Sequence, residues 1–226
     1  MKRGKKYSES AKKYNVANSY ELNEALTLVK SMAYAKFDET VDLSIKLNLK
    51  KSQSVRDTVV LPHQFRGEKK VLVFCKPEKE KEAQEAGATF IGADDLIEKV
   101  KGGWTDFDVA VATPDMMKDV GKLGMVLGRK GLMPNPKTGT VTFDLKGTLA
   151  ELKKGRVEFR ADKTGVVHLA VGKVSMEPEK VAENVNVVVT EIKRKRPVDV
   201  KGEFIQTVSI ASTMGPGVWV AIQDQE

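Results

Sequence analysis

The chain has 226 residues, 38 Lys and Arg against 31 Asp and Glu, a formal charge of +7 and a hydrophobic share of 41%, which argues against disorder and admits one large domain or two modest ones. Its apolar runs, such as Val71 to Cys75, fall far short of the ~20 residues a membrane-spanning helix needs. The polar stretch Tyr7 to Lys13 stands where a signal peptide requires an apolar segment, so secretion is not expected; the single Cys75 excludes an internal disulfide, and His63 and His168 supply no zinc-ligand spacing.

Along the chain the charge is uneven: residues 1–67 carry a net +6, residues 68–157 +2 and residues 158–226 −1. Lys2, Arg3, Lys5, Lys6, Lys12 and Lys13 form an amino-terminal cluster that reads as an arm, a frayed first helix or a solubilising tail. From Leu22, apolar residues recur at helical spacing through Ala33, with Asn18 or Ser19 available as N-cap. Strict alternation follows, Val41, Leu43, Ile45 and Leu47 against Asp42, Ser44, Lys46 and Asn48, the pattern of a strand with one wet face. A second strand spans about Thr58 to Leu61, and His63 to Lys70 looks like a crossing between domains.

Next, short apolar strands at Val71 to Cys75, Thr89 to Ile91 and Val109 to Ala112 are separated by helical stretches at Glu78 to Ala86 and Asp95 to Lys101. Such an order predicts a parallel sheet covered on both faces. A helix from about Leu145 to Lys154 should stop at Gly155. Alternation returns from Arg156 as an expected hairpin, Val157 and Phe159 on one arm, Val167, Leu169 and Val171 on the other, with Asp162 to Gly165 at the tip. Pro178 opens a helix whose stripe is Val181, Val185, Val188 and Ile192; Lys193 to Arg196 close it where the helix dipole favours cations. A final strand, Phe204 to Ala211, leads into Ser212 to Gly217 and an apolar end, Val218 to Ile222.

Neither flank has enough elements to bury both faces of a sheet. The expected organisation is therefore two domains: residues 1–67 plus 158–226 forming one split α+β domain, with residues 68–157 inserted as an α/β domain.

Catalytic signals are weak. The turn Phe74 to Glu78 lacks the glycines of a dinucleotide site and puts an acid where phosphate would bind, and neither Gly121-Lys122 nor Gly139-Thr140 makes a Walker loop. Cys75 reads as a core residue without a base. The run Val120 to Val141 is expected to be a long surface loop tied down by Leu127, Leu132 and Met133; Gly128-Arg129-Lys130-Gly131 fits a KH-type clamp, but Pro134 and Pro136 oppose the helix that clamp requires. His168 alternates with Val167 and Leu169 toward a wet face, where it could contact RNA or solvent alike.

Five blocks then carry a resemblance: Lys36 to Val41; Trp104 to Asp108 with Ala112 to Asp115; the glycine-rich run ending Gly131 to Val141, including Pro134-Asn135-Pro136-Lys137-Thr138-Gly139; Phe159 to Gly165; and Thr213 to Pro216. Spread from end to end, they resemble the bacterial form of the universal large-subunit ribosomal protein L-one family. The resemblance implies a split RRM-like or ferredoxin-like α+β sandwich and an inserted Rossmann-like three-layer α/β domain. It implies a cytoplasmic, ribosome-bound protein without cofactor, catalysis or membrane contact, monomeric when free. The implied partners are large-subunit rRNA, other ribosomal components, exit-site tRNA beside the mobile stalk, and the protein's own operon mRNA, as a translational repressor. Carried over by matching position, the RNA surface falls on Lys36, Phe37, Thr40, Lys163, Thr164, His168, Thr213, Met214 and Gly215. Two departures from the family pattern stand out: the short Leu49 to Asp57 loop, and Gly128 to Gly131, which lacks a usual proline. A small-ligand enzyme built on the α/β segment and a chaperone-like basic protein are the alternatives from other functional classes.

Overall fold

Runs of period 3.6 and period 2 alternate along the chain, and the backbone follows them. The structure, a computed structural model, describes residues 4–50, 53–67, 69–198, 200 and 202–221. Lys2 and Arg3 of the basic cluster, Lys51 and Ser52 of the short loop, Glu68 of the crossing and Ile222 of the apolar end lie outside the described residues. The elements are α1 (Lys5–Ala11), β1 (Ser19–Tyr20), α2 (Leu22–Met32), β2 (Thr40–Leu47), β3 (Arg56–Val60), β4 (Val71–Phe74), α3 (Pro77–Glu85), β5 (Phe90–Gly92), α4 (Asp94–Lys101), β6 (Val109–Ala112), α5 (Met117–Val120), α6 (Gly124–Arg129), α7 (Leu145–Lys153), β7 (Arg156–Arg160), β8 (Val166–Lys173), α8 (Pro178–Arg194), β9 (Ile205–Ser212) and β10 (Gly217–Val220). This mixed α/β chain divides into two compact units, residues 1–65 with 158–226 (unit 1) and residues 66–157 (unit 2).

In unit 1 a five-stranded sheet runs β1-β10-β9-β2-β8. Strand β1 is parallel to β10, and the other pairs are antiparallel. Val41, Leu43, Ile45 and Leu47 are buried on one face, and α2 packs on the neighbouring strands β9 and β10 and α8 on β8. The α8 stripe Val181, Val185, Val188 and Ile192 is buried as its spacing predicts, each side chain contributing roughly 1.5–3 kcal/mol. Helix and sheet approach closely because Gly172 has no side chain; a Cβ there would lie 2.9 Å from a Val181 methyl. Asn184, fully buried on α8, spends its amide on the carbonyls of Val171 (2.8 Å) and His63 (2.9 Å) and accepts from the His63 N–H (3.0 Å). No polar group of that side chain is left unsatisfied, as burial demands.

Three expectations need correction. Ser19 does not cap α2: it lies in β1, paired with Trp219, and α2 starts after Glu21 without a side-chain cap. Long-range pairing outcompeted the local cap. Strands β7 and β8 are not two arms of a hairpin: β7 pairs with β3 in a separate two-stranded sheet, and β8 pairs with β2, leaving one bridge, Ala161 to Val167, beside the turn. The turn itself is present, with Gly165 at φ +78°.

The third correction lies in unit 2, where a parallel sheet of order β5-β4-β6 is covered on both faces. The glycine-rich run is helical up to Arg129, a 3-10 turn (Gly121–Leu123) joining α5 to α6, and Val120, Leu123 and Leu127 are in the core. Apolar residues at helical spacing outweighed the glycines. After Gly131 (φ +70°) no helix follows until the 3-10 turn Pro136–Thr138, so the KH arrangement is absent. Asp144 caps α7 by accepting from the Gly147 N–H (3.0 Å), and Gly155 ends it at φ +87°. Cys75 is fully buried, and burial pushes its thiol above its ordinary pKa, which suits a packing role.

Candidate nucleic-acid interface

Because β2 and β9 are antiparallel neighbours with Val41 opposite Ser212, the chain entering β2 meets the chain leaving β9 at one end of the sheet. Lys36, Phe37, Thr40, Thr213, Met214 and Gly215 are thereby brought together, although some 170 residues separate the two loops (|i−j| = 173 for Thr40 and Thr213). Thr213 is locked to Thr40: its hydroxyl accepts from the Thr40 N–H (3.0 Å) and donates to the Thr40 carbonyl (3.2 Å), and its own N–H donates to that carbonyl (3.1 Å).

Glu39 holds the two loops. It is only 2% exposed, and one carboxylate oxygen accepts from the N–H groups of Tyr34 (3.0 Å) and Ala35 (2.8 Å) while the other accepts from the Met214 N–H (3.1 Å). Burial alone would push this carboxyl up; hydrogen bonds from Ser212, Ala35, Met214 and Tyr34 outweigh it and hold the pKa below its ordinary value. Tyr34 adds a hydroxyl donated to the Met214 carbonyl (2.8 Å). Gly215 donates its N–H to Ser212 Oγ (3.2 Å), and a Cβ there would lie 2.4 Å from that oxygen, so only glycine fits the turn as it stands. The N–H groups of Tyr34, Ala35, Thr40, Thr213, Met214 and Gly215 are thus spent within the site, while Phe37 (56%) and Met214 (48%) are exposed, as is Lys36.

Lys163 and Thr164 lie at the other end. Val166 pairs with Lys46, and the Leu47 N–H donates to the Gly165 carbonyl (2.8 Å), so the eight residues of β2 set the turn roughly 25 Å from Thr40 at ~3.3 Å per residue. Asp162 organises that turn: it accepts from the N–H groups of Thr164 and Val166 (both 2.8 Å) and from the Thr164 hydroxyl (2.7 Å). The N–H of Val166 and the Thr164 hydroxyl are the largest contributions holding the Asp162 carboxyl below its ordinary pKa. Lys46 donates to the Thr164 carbonyl. Lys163 is exposed at the tip.

Between the ends, His168, Ser44, Ser209 and Trp219 form one row across β8, β2, β9 and β10, on the face opposite α2 and α8. His168 is exposed, its Nδ1 3.0 Å from Ser44 Oγ. The nine positions named from sequence therefore form one tight group of six, a distant pair and a histidine between them.

Glu39, Tyr34 and Ser212 were missed as scaffold residues. One signal was available for Glu39: two positions before Val41, it shares the inward phase of β2, and a carboxylate on a core-facing phase needs partners. Trp219, 41% exposed, was also passed over; its alternation with Val218 and Val220 pointed outward.

The sequence model of the Ribosomal protein L1p/L10e family matches residues 29–216. The chain is 66% identical over 220 residues to the large ribosomal subunit protein uL1 of Treponema denticola, covering 97% of each chain. To the protein of that name from Treponema pallidum strain Nichols it is 60% identical over 226 residues, covering 100% of both, and to that of Borrelia hermsii 58% over 217 residues, covering 96% of this chain and 97% of the relative.

Proposed function

Because the chain belongs to the ribosomal protein L1p/L10e family, we propose that it is a structural constituent of the large ribosomal subunit in the bacterial cytoplasm, not an enzyme, and that it binds large-subunit rRNA through unit 1. The assignment treats residues 1–67 plus 158–226 as a split RRM-like or ferredoxin-like RNA-binding domain and residues 68–157 as a Rossmann-like insertion. A sheet with two helices on one face supports the first part, and a parallel sheet covered on both faces supports the second.

The observation that carries the RNA site is the pair of outward apolar side chains, Phe37 and Met214, on loops tied together by hydrogen bonds through Glu39 and Thr213. Exposed apolar groups on a rigid base suit stacking against splayed nucleotides, with Lys36 and Lys163 positioned for phosphates and His168 for a hydroxyl or base edge. Binding of a large-subunit stalk rRNA fragment by Phe37→Ala/Met214→Ala, which truncates the two outward side chains and leaves the Thr213 to Thr40 bonds in place, tests it. We expect at least a ~10-fold loss of affinity, about 1.4 kcal/mol, with little change in melting temperature; undiminished binding would sink the proposed surface.

By resemblance the proposal extends to the mobile stalk at the tRNA exit site, to release of deacylated tRNA, and to repression of the protein's own operon. The last is tested by adding the protein to in vitro translation of that mRNA: repression relieved by excess stalk rRNA is expected, and unchanged synthesis contradicts it.

A further inference from the structure

Unit 2 has a face that this assignment leaves unused. From α5 through the 3-10 turn to α6 the backbone is almost continuously helical. Val120, Leu123 and Leu127 are buried along it, continuing from Met116 at the end of the 3-10 turn (Pro114–Met116) that precedes α5. The opposite stripe, Lys118, Lys122, Met125 and Arg129, repeats the same spacing and is exposed, Met125 to 78%. A polar outer face is ordinary for an amphipathic segment; the distribution of charge here is not. Residues 118–137 hold five cations (Lys118, Lys122, Arg129, Lys130, Lys137) and one acid, Asp119, whereas the rest of residues 66–157 has 12 cations and 13 acids. The whole positive excess of the unit lies on this segment.

Contour points the same way. Gly121 and Gly128 flank Met125 in right-handed backbone, and a Cβ at either would meet nothing within 4 Å. Neither packing nor φ calls for glycine, which costs roughly 0.5–1 kcal/mol against alanine inside a helix. What bare backbone provides is room for close approach from outside.

We infer that the exposed stripe around Met125 is a second RNA contact, seating the sugar-phosphate backbone of the same large-subunit rRNA that unit 1 binds; it rests on the rRNA assignment of unit 1. Charge complementarity selects a polyanion. The small number of cations selects the same RNA: Lys122 already has a neighbour in Asp119 (2.8 Å), and a handful of phosphate contacts holds a free RNA weakly at physiological salt. Tethered to a docked unit 1, the face meets RNA at an effective concentration of about millimolar, where a few contacts suffice.

Two measurements on the full-length chain test this. A benzophenone amino acid at position 125, in large ribosomal subunits reconstituted with the protein, should cross-link to large-subunit rRNA. Cross-links only to tRNA or protein, or none from subunits that have incorporated the chain, overturn the inference. Separately, Lys118→Gln/Lys122→Gln/Arg129→Gln should bind the large-subunit rRNA at least ~10-fold more weakly, with its log-log salt slope reduced by about 2; an unchanged slope also overturns it. Phe37→Ala reports on unit 1 alone: wild-type binding by that variant fails the unit 1 assignment, whereas weakened Phe37→Ala with an unaltered triple variant fails only the unit 2 contact.

Discussion

Glu39 is where one side chain sets the geometry of a surface it does not itself present. Its ionised carboxylate is favoured in the fold, so the folded-state pKa lies below the ordinary 4.5. A depressed folded value means that the stabilisation is complete above the unfolded pKa and is lost as pH falls through the folded one. Glu39→Gln turns an amide NH2 toward backbone donors and should lower stability near neutral pH by about 1–3 kcal/mol, the range for a buried charged hydrogen-bond network left partly unpaired. The gap between variant and wild type should then narrow as pH falls below 4.5. Urea unfolding of both proteins at about pH 7 and about pH 3.5 checks the sign; a constant gap would mean that the carboxylate charge contributes nothing. RNA affinity should fall as well, because the freed N–H groups of Tyr34, Ala35 and Met214 define where Phe37 and Met214 point.

Among elements, the turn between β7 and β8 shows how local chemistry and distant pairing divide the work. Asp162 and Gly165 specify the turn, and both are recognisable from residue type alone. Which strands the turn joins into which sheet is decided elsewhere, by β3 and β2 from the amino flank. Gly165→Ala would force a side chain onto φ +78° with its Cβ 3.0 Å from the Leu47 carbonyl oxygen, and a cost of about 1–3 kcal/mol is expected. Gly128→Ala, in right-handed helix with open space around it, should instead be neutral or stabilising by up to ~1 kcal/mol. Thermal unfolding of the two variants side by side distinguishes these outcomes, and equal melting temperatures would contradict both accounts.

At the scale of the whole molecule, β2 is the strand that joins the flanks. It is bonded on one side to β8 and on the other to β9, both from the carboxy-terminal flank, and it does not pair with β1. An amino-terminal fragment would therefore lose both neighbours of its longest strand. Limited proteolysis within residues 62–70 should leave the flanks co-eluting on size exclusion while separating on a denaturing gel. Recovery of a folded piece made of residues 1–67 alone would refute the split domain. The charge pattern agrees with this division of labour: the surplus of unit 1 comes from its amino flank, that of unit 2 from residues 118–137.

Periodicity and turn chemistry were enough to place most helices and strands, to identify the buried stripes of β2 and α8, and to expect His168 on a wet face, because those features depend on neighbours a few residues away. The motif blocks were enough to identify the family. Strand partners are not legible in the sequence: local pattern pairs β7 with β8 and leaves Asn18 or Ser19 available as a cap, whereas β7 pairs with β3 and Ser19 with Trp219. Nor is the exposure of Phe37 legible, since without the resemblance a phenylalanine before a half-buried strand is expected in a core, whereas Met214 reads from its loop as an exposed apex. Those outcomes hang on contacts such as Glu39 to Met214, 175 residues apart, and no local pattern encodes which distant backbone group will satisfy a buried carboxylate.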